Sequence, residues 1–260
     1  MKEISFTVDV EPDLRTNKYK SIIPGLLELE KLLDKYKVKP TLFVTCDCIE
    51  KYPILFKRLK NKGWEIALHG YRHERFDNLT NKQKEQAVQS SIKCFKKYLK
   101  TRPKGFRAPQ HAIDEEGINV LKKFNFDYDS SIMPWNSYHI LFFWKIKVKF
   151  MHHFMPMKIH KMYGLKEIPI SSFIMPFSSV TLRILPKSLL NLFFYFVNLL
   201  KKPVFLMHSW DLIKIPDSKI YKLCPKEKFM PKLENLISFF SKRKKFVTLE
   251  NLPPIQTRIK

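Results

Sequence analysis

Trp64-Glu65-Ile66-Ala67-Leu68-His69-Gly70-Tyr71-Arg72-His73 is the stretch on which the reading of this chain turns. Apolar residues lead into His69 and read as a buried strand, and Gly70 begins a turn. A second histidine follows four positions on. If the turn coils like a helix, side chains at i and i+4 aim at one point. Two imidazoles so placed are half of a zinc site. An isolated H-x-x-x-H is a weak motif, and two unrelated histidines near a loop are its plain alternative. Its weight comes from the company it keeps.

Upstream, Ile4, Phe6 and Val8 alternate with Ser5, Thr7 and Asp9, which predicts a first strand. That strand ends in Asp9-Val10-Glu11, where two carboxylates at i and i+2 share a face. Leu26, Leu29, Leu32 and Leu33 have helical spacing, and Thr41–Thr45 reads as a second strand. Pro53 opens a helix that Gly63 stops. Thr80 and Gln83 form a capping-box pattern ahead of a long helix to about Leu99. Gly105-Phe106-Arg107-Ala108-Pro109 reads as a short strand and turn, and Asp114 caps a helix through Phe124. Phe126–Asp129 and Lys166–Ile170 are strand candidates, with Pro169 at an edge or bulge. Ser188–Leu200 reads as a very apolar helix, and Val204–Met207 as a buried strand ending at His208. A helix near Leu233–Ser241 and a strand Phe246–Leu249 close the chain.

Strand and helix alternate, which predicts parallel βαβ units in an α/β barrel or layered sheet. Chemistry gathers at the carboxyl ends of strands in such folds, where Asp9, Glu11, His69, His73, Arg107 and His208 all fall. The 260 residues are expected to form a single catalytic domain with an inserted lobe or lid at about 136–166. Between His139 and Lys166 there are six lysines, four histidines and no acidic residue. That segment is too long for an ordinary connection.

The net charge of +24, from 48 basic and 24 acidic residues, points to a polyanion, an anionic membrane or a phosphorylated substrate, against a plain solvated basic surface. Cys46, Cys48, Cys94 and Cys224 fit no paired metal motif. Reduced, inert thiols are the expectation, and with no visible signal peptide they predict a cytoplasmic protein; the basic, apolar 139–166 segment, the apolar Ser188–Lys202 stretch ending in two lysines and the +24 charge predict peripheral contact with the inner face of the membrane. No run of eighteen apolar residues appears.

Taken alone, these residues suggest metal-assisted hydrolysis. Two histidines and a carboxylate leave a position open on zinc. A second carboxylate can take a proton, a separate histidine can protonate the leaving group, and an arginine can keep the base ionised. In the same order, Thr7-Val8-Asp9-Val10-Glu11, His69-Gly70-Tyr71-Arg72-His73, Arg107-Ala108-Pro109, Tyr128-Asp129-Ser130-Ser131, Glu167-Ile168-Pro169-Ile170-Ser171 and Leu206-Met207-His208 resemble the motifs of the polysaccharide deacetylases. These are the carbohydrate esterase family 4 proteins with the NodB homology domain. The resemblance implies a distorted (β/α) barrel with a basic-aromatic insertion, and hydrolytic removal of an N- or O-acyl group from a sugar in a glycan or lipid-linked saccharide. It implies Glu11, His69 and His73 as ligands of a divalent metal, zinc first. Asp9 is the implied base, Arg107 its tether and His208 the acid. Pro109, Trp135 and Trp210 are substrate-contact candidates, although both tryptophans also suit core or rim packing.

The family often places two adjacent aspartates in its first motif, whereas Val10 separates Asp9 from Glu11 here. The swapped assignment of base and ligand therefore stays open. So does metal-independent hydrolysis of a cyclic amide or ureide, as in certain relatives. A third reading is an inactive barrel that binds membrane or polyanion; no aromatic-basic motif supports specific nucleic acid. His111 is expected at the surface, His152 and His153 in a solvated lid, and Asp211 either orients His208 or caps a turn.

Overall fold

The first strand, β1 (Glu3–Val10), is buried along both faces. Ile4, Phe6, Val8 and Val10 pack outward under helices, while Ser5, Thr7 and Asp9 are also buried. The alternation thus separates a helix-covered face from a polar barrel interior, rather than core from solvent. In the computed structural model, which describes residues 2–13, 18–134, 152, 154–213 and 219–253, β1 lies second from one end of the main sheet. Trp135 and residues 136–151 and 153 of the expected lobe lie outside the described residues.

Parallel strands follow on one side of β1: β2 (Thr41–Val44), β3 (Glu65–Leu68), β4 (Gly105–Phe106) and β5 (Tyr128–Asp129). An antiparallel hairpin, β6 (His160–Met162) and β7 (Leu165–Glu167), extends the sheet, with β7 parallel to β5. A second hairpin, β8 (Ser172–Phe173) and β9 (Met175–Pro176), stands apart from it. On the other side of β1 lies β10 (Val204–His208), and β11 (Lys245–Phe246) pairs with the start of β1. The curl closes irregularly. Ile170 N–H donates to Ile132 O at 2.9 Å, Ser171 N–H to Val204 O at 3.2 Å, and Leu206 N–H to Phe177 O at 3.0 Å.

Helices α1 (Ile22–Lys35), α2 (Cys46–Lys51), α3 (Pro53–Asn61), α4 (Asn81–Leu99) and α5 (Glu115–Lys123) cover the first half. The expected caps form: Gln83 N–H donates to Thr80 Oγ1 at 3.3 Å, and Gly117 N–H to Asp114 Oδ1 at 2.8 Å. Helices α6 (Ser179–Ile184), α7 (Lys187–Leu199), α8 (Lys219–Leu223) and α9 (Lys226–Ser241) complete the described set. No described helix is long and apolar enough to cross a membrane. The four cysteines are buried free thiols. Burial pushes the Cys46 and Cys48 thiols far up, so neither is a nucleophile at neutral pH.

Candidate active site

The site gathers at the carboxyl ends of β1, β3 and β10. Parallel register sets Asp9 directly across from His208. Arg107, just after β4, lies fully buried beneath them. Its Nη1 donates to Asp9 Oδ1 at 2.7 Å and to Thr7 Oγ1 at 3.0 Å. Its Nε and Nη2 donate to Ser130 O at 2.9 Å and Ser130 Oγ at 3.0 Å, and the guanidinium stacks 4.0 Å over the Phe43 ring. Burial alone would raise the Asp9 carboxyl. The Arg107 charge, with His69 and His208 behind it, outweighs burial and holds Asp9 below the usual carboxylate range.

Glu11 sits between the two histidines. His69 Nδ1 is 2.8 Å from Arg107 O, which can only accept, so Nδ1 carries the proton. Its Nε2 is thereby turned to Glu11 Oε2 at 2.9 Å. His73 Nε2 contacts the same oxygen. Ligand atoms of Glu11, His69 and His73 lie within 4.8 Å of one another. Burial opposes ionisation of Glu11, but the two imidazole hydrogen bonds hold its carboxyl well below its ordinary value. The His69 imidazole is raised, because Asp9 and Glu11 overcome the burial that would lower it.

The turn that brings His73 in is not a helical coil. Gly70 and His73 both take left-handed backbone, at φ +82° and +60°. Glu74 closes the bend by accepting from Tyr71 N–H at 2.9 Å and Arg72 N–H at 2.6 Å. The two imidazole centroids end 5.4 Å apart. The i, i+4 spacing was the right signal, but a bend braced by Glu74 delivers the pair.

The His208 ring stacks on Trp210 at 4.4 Å and 11°. Trp210 is 4% exposed and its Nε1 donates to Tyr221 Oη at 2.9 Å. Its face is therefore occupied by His208, which fits the packing role weighed for it beside sugar contact. Asp211 caps the turn after β10: its Oδ2 accepts from the backbone N–H of His208 at 2.8 Å. Pro109 is buried beside the Gly70 turn. Trp135 lies outside the described residues.

Two histidines depart from their expected places. His111 comes into the site, with Nδ1 donating to Ser131 O at 3.2 Å. Burial, with Arg107, His152 and His69 around it, outweighs Asp9 and brings the His111 imidazole down to about 3, so it is neutral at physiological pH. His152 is 3% exposed rather than solvated. Sequence reasoning also missed the acid pair Asp129 and Glu167 behind Arg107. Asp129 accepts from Ser131 Oγ at 2.7 Å and Ser131 N–H at 3.1 Å, and Glu167 Oε1 from Ile132 N–H at 3.1 Å. Burial and the Asp129 charge push the Glu167 carboxyl far up.

The donor set fits a divalent metal ion. One carboxylate and two imidazoles converge, and a backbone carbonyl fixes the His69 tautomer that presents Nε2, the usual support of a ligating histidine. Kinship points the same way, because the polysaccharide deacetylase family model matches residues 2–128. That match covers just under half of the chain. The chain is 36% identical over 110 residues to a peptidoglycan deacetylase-like protein of Gibberella zeae, covering 42% of this chain and 32% of that protein. It is 32% identical over 109 residues to a peptidoglycan deacetylase of Helicobacter pylori, covering 42% and 37%. The chain thus matches about a third of the length of these curated relatives. The fold agrees over most of the molecule. A candidate polysaccharide deacetylase of Mycobacterium smegmatis superposes with a TM-score of 0.64 at 18% identity, covering 94% of this chain and 85% of that one. The deacetylase-type distorted (β/α) barrel is therefore the architecture of this chain.

Proposed function

We propose that the protein is a metal-dependent hydrolase that removes an N-acetyl, or other N- or O-acyl, group from a sugar in a glycan or lipid-linked saccharide. The observation that carries this reading is the Glu11–His69–His73 donor set beside the Arg107-tethered Asp9 and opposed His208. A divalent cation held there, zinc first, supplies Lewis acidity toward the acyl carbonyl and the attacking water. Asp9, kept ionised by Arg107, accepts the proton of that water. His208, aligned by its stack on Trp210, gives a proton to the departing nitrogen or oxygen. Arg107 holds the base in position, and His111, neutral, lines the site without competing for the proton. The substrate is an acylated amino sugar presented at the cytoplasmic face of the membrane. Ring-amide hydrolysis without metal is disfavoured by the intact donor set, and an inactive barrel by the intact acid and base candidates.

The test is acetate release from N-acetylated amino-sugar oligomers, measured with bound metal. Metal in the purified protein, activity lost on chelation and restored by a divalent ion, is the expected result. Full activity after thorough chelation, with no metal in the protein, would refute the metal-dependent reading.

A further inference from the structure

The helix α7 is apolar on two faces. Leu190, Phe193, Phe194 and Val197 pack into the core. On the other side Leu189, Leu192, Phe196 and Leu199 succeed one another at three- and four-residue steps and are 48%, 53%, 37% and 70% exposed. No charged residue occurs between Lys187 and Lys201. A surface helix ordinarily turns a polar face outward, so this stripe calls for an occupant.

The β8–β9 hairpin continues the same surface. Phe173 stacks on Phe196 at 4.7 Å and 9°. Beyond it, Ile174 is 69% exposed and held at φ +60°. A β-branched side chain disfavours that conformation, so the fold presents Ile174 outward against its local preference.

The rim is cationic. Lys187 precedes the stripe, Lys201 and Lys202 follow it, and Arg243 lies 3.9 Å over Phe239 and 5.7 Å over Tyr195. Lys242 and Arg243 line a shallow cleft beside Tyr195 together with Asn191 and Asn235. From Ile168 to Trp210 the sequence contains no Asp or Glu. A second copy of the chain would suit the apolar stripe but not the rim, because a twofold contact sets like charges together.

We propose that this face docks the protein on an anionic phospholipid bilayer. The α7 stripe and Ile174 enter the boundary between headgroups and acyl chains, and the flanking cations meet lipid phosphates. Its use, bringing the active site to a membrane-presented saccharide, rests on the function proposed above; the binding itself does not.

The experiment is co-sedimentation of the full chain with vesicles of phosphatidylcholine alone and of phosphatidylcholine with phosphatidylglycerol, at low and high salt. Binding to the anionic vesicles only, weakened by salt, is expected. It should fall about tenfold or more in Leu192→Glu combined with Leu199→Glu, and more modestly in Ile174→Ser. Thermal melts must match wild type, and Lys201→Gln with Lys202→Gln gives a second variant that leaves the apolar stripe intact. Acetate release from a soluble oligomer, run in parallel, should be unchanged in all of them. If wild type releases no acetate yet binds vesicles as described, the function fails and the docking face stands. Equal binding to neutral vesicles would overturn the proposal, as would undiminished binding in the folded double variant. So would loss confined to Lys145→Gln, Lys147→Gln and Lys149→Gln, or a dimer that dissolves in the double variant without any vesicle binding.

Discussion

Arg107 has every guanidinium nitrogen engaged at zero exposure, and only one of its partners, Asp9, is an ion. Lysine keeps the charge but cannot reproduce the fork. Arg107→Lys should therefore raise the Asp9 carboxyl toward its ordinary value. The acid limb of the pH–rate profile should move to higher pH, with a rate loss on the order of tenfold to a hundredfold. A limb that stays in place would remove Arg107 from control of the base. The two carboxylates separate in a second measurement. Glu11→Gln should lose bound metal, while Asp9→Asn should keep it and lose about a hundredfold or more in rate. The opposite pattern in metal content would reverse their roles. Asp9, Glu11, His69, Arg107 and His208 were legible because each is a polar residue at the end of an apolar strand. His111 was not, because its partner is the carbonyl of Ser131 and its neighbours come from other segments. The choice between packing and sugar contact at Trp210 was not legible, because its partners Tyr221 and His208 meet it only in the fold.

At the scale of elements, the long periodic segments were the readable ones. The leucine spacing of α1 and the capping box of α4 appear where expected. The six-residue helices α2 and α6 went unread, since each is too short to display a period. Helix α9 begins at Lys226, well before the expected Leu233, because Pro231 lies inside it and reads as a stop. The close fit of α1 against the turn after β10 is likewise a tertiary matter. A β-carbon at Gly25 would stand 2.3 Å from Ser209 O, next to His208. Gly25→Ala should push that turn away, costing about 1–3 kcal/mol in urea unfolding. It should also lower the rate by displacing His208, with bound metal unchanged. Wild-type stability and rate together would show that α1 does not hold the turn.

Across the whole molecule, buried acids set how stability answers to pH. Glu65 accepts from Thr41 Oγ1 at 2.7 Å, Tyr128 Oη at 2.6 Å and Glu250 N–H at 3.1 Å, at the opposite end of β3 from His69. Burial outweighs these bonds and raises its carboxyl to about 7 from 4.5. Between those values the folded chain holds a proton that the unfolded chain has released. The Glu65 contribution should therefore fall by about 3 kcal/mol as pH rises through this window, while His111, lowered to about 3 from 6.5, acts with the opposite sign up to 6.5. The raised Asp129 and Glu167 carboxyls act with the same sign as Glu65. Urea midpoints at mildly acid and mildly alkaline pH check this, and Glu65→Gln should flatten the dependence. A Glu65→Gln midpoint that follows wild type in parallel across the window would contradict it.

The register that sets Asp9 across from His208 also orders events during synthesis. His208 emerges much later than Asp9, and β10 must then travel back to lie along β1. Closing a contact so distant along the chain is slow relative to local helix formation. On the function proposed above, a chain cut short before β10 therefore keeps the proposed cation ligands but lacks the proposed proton donor.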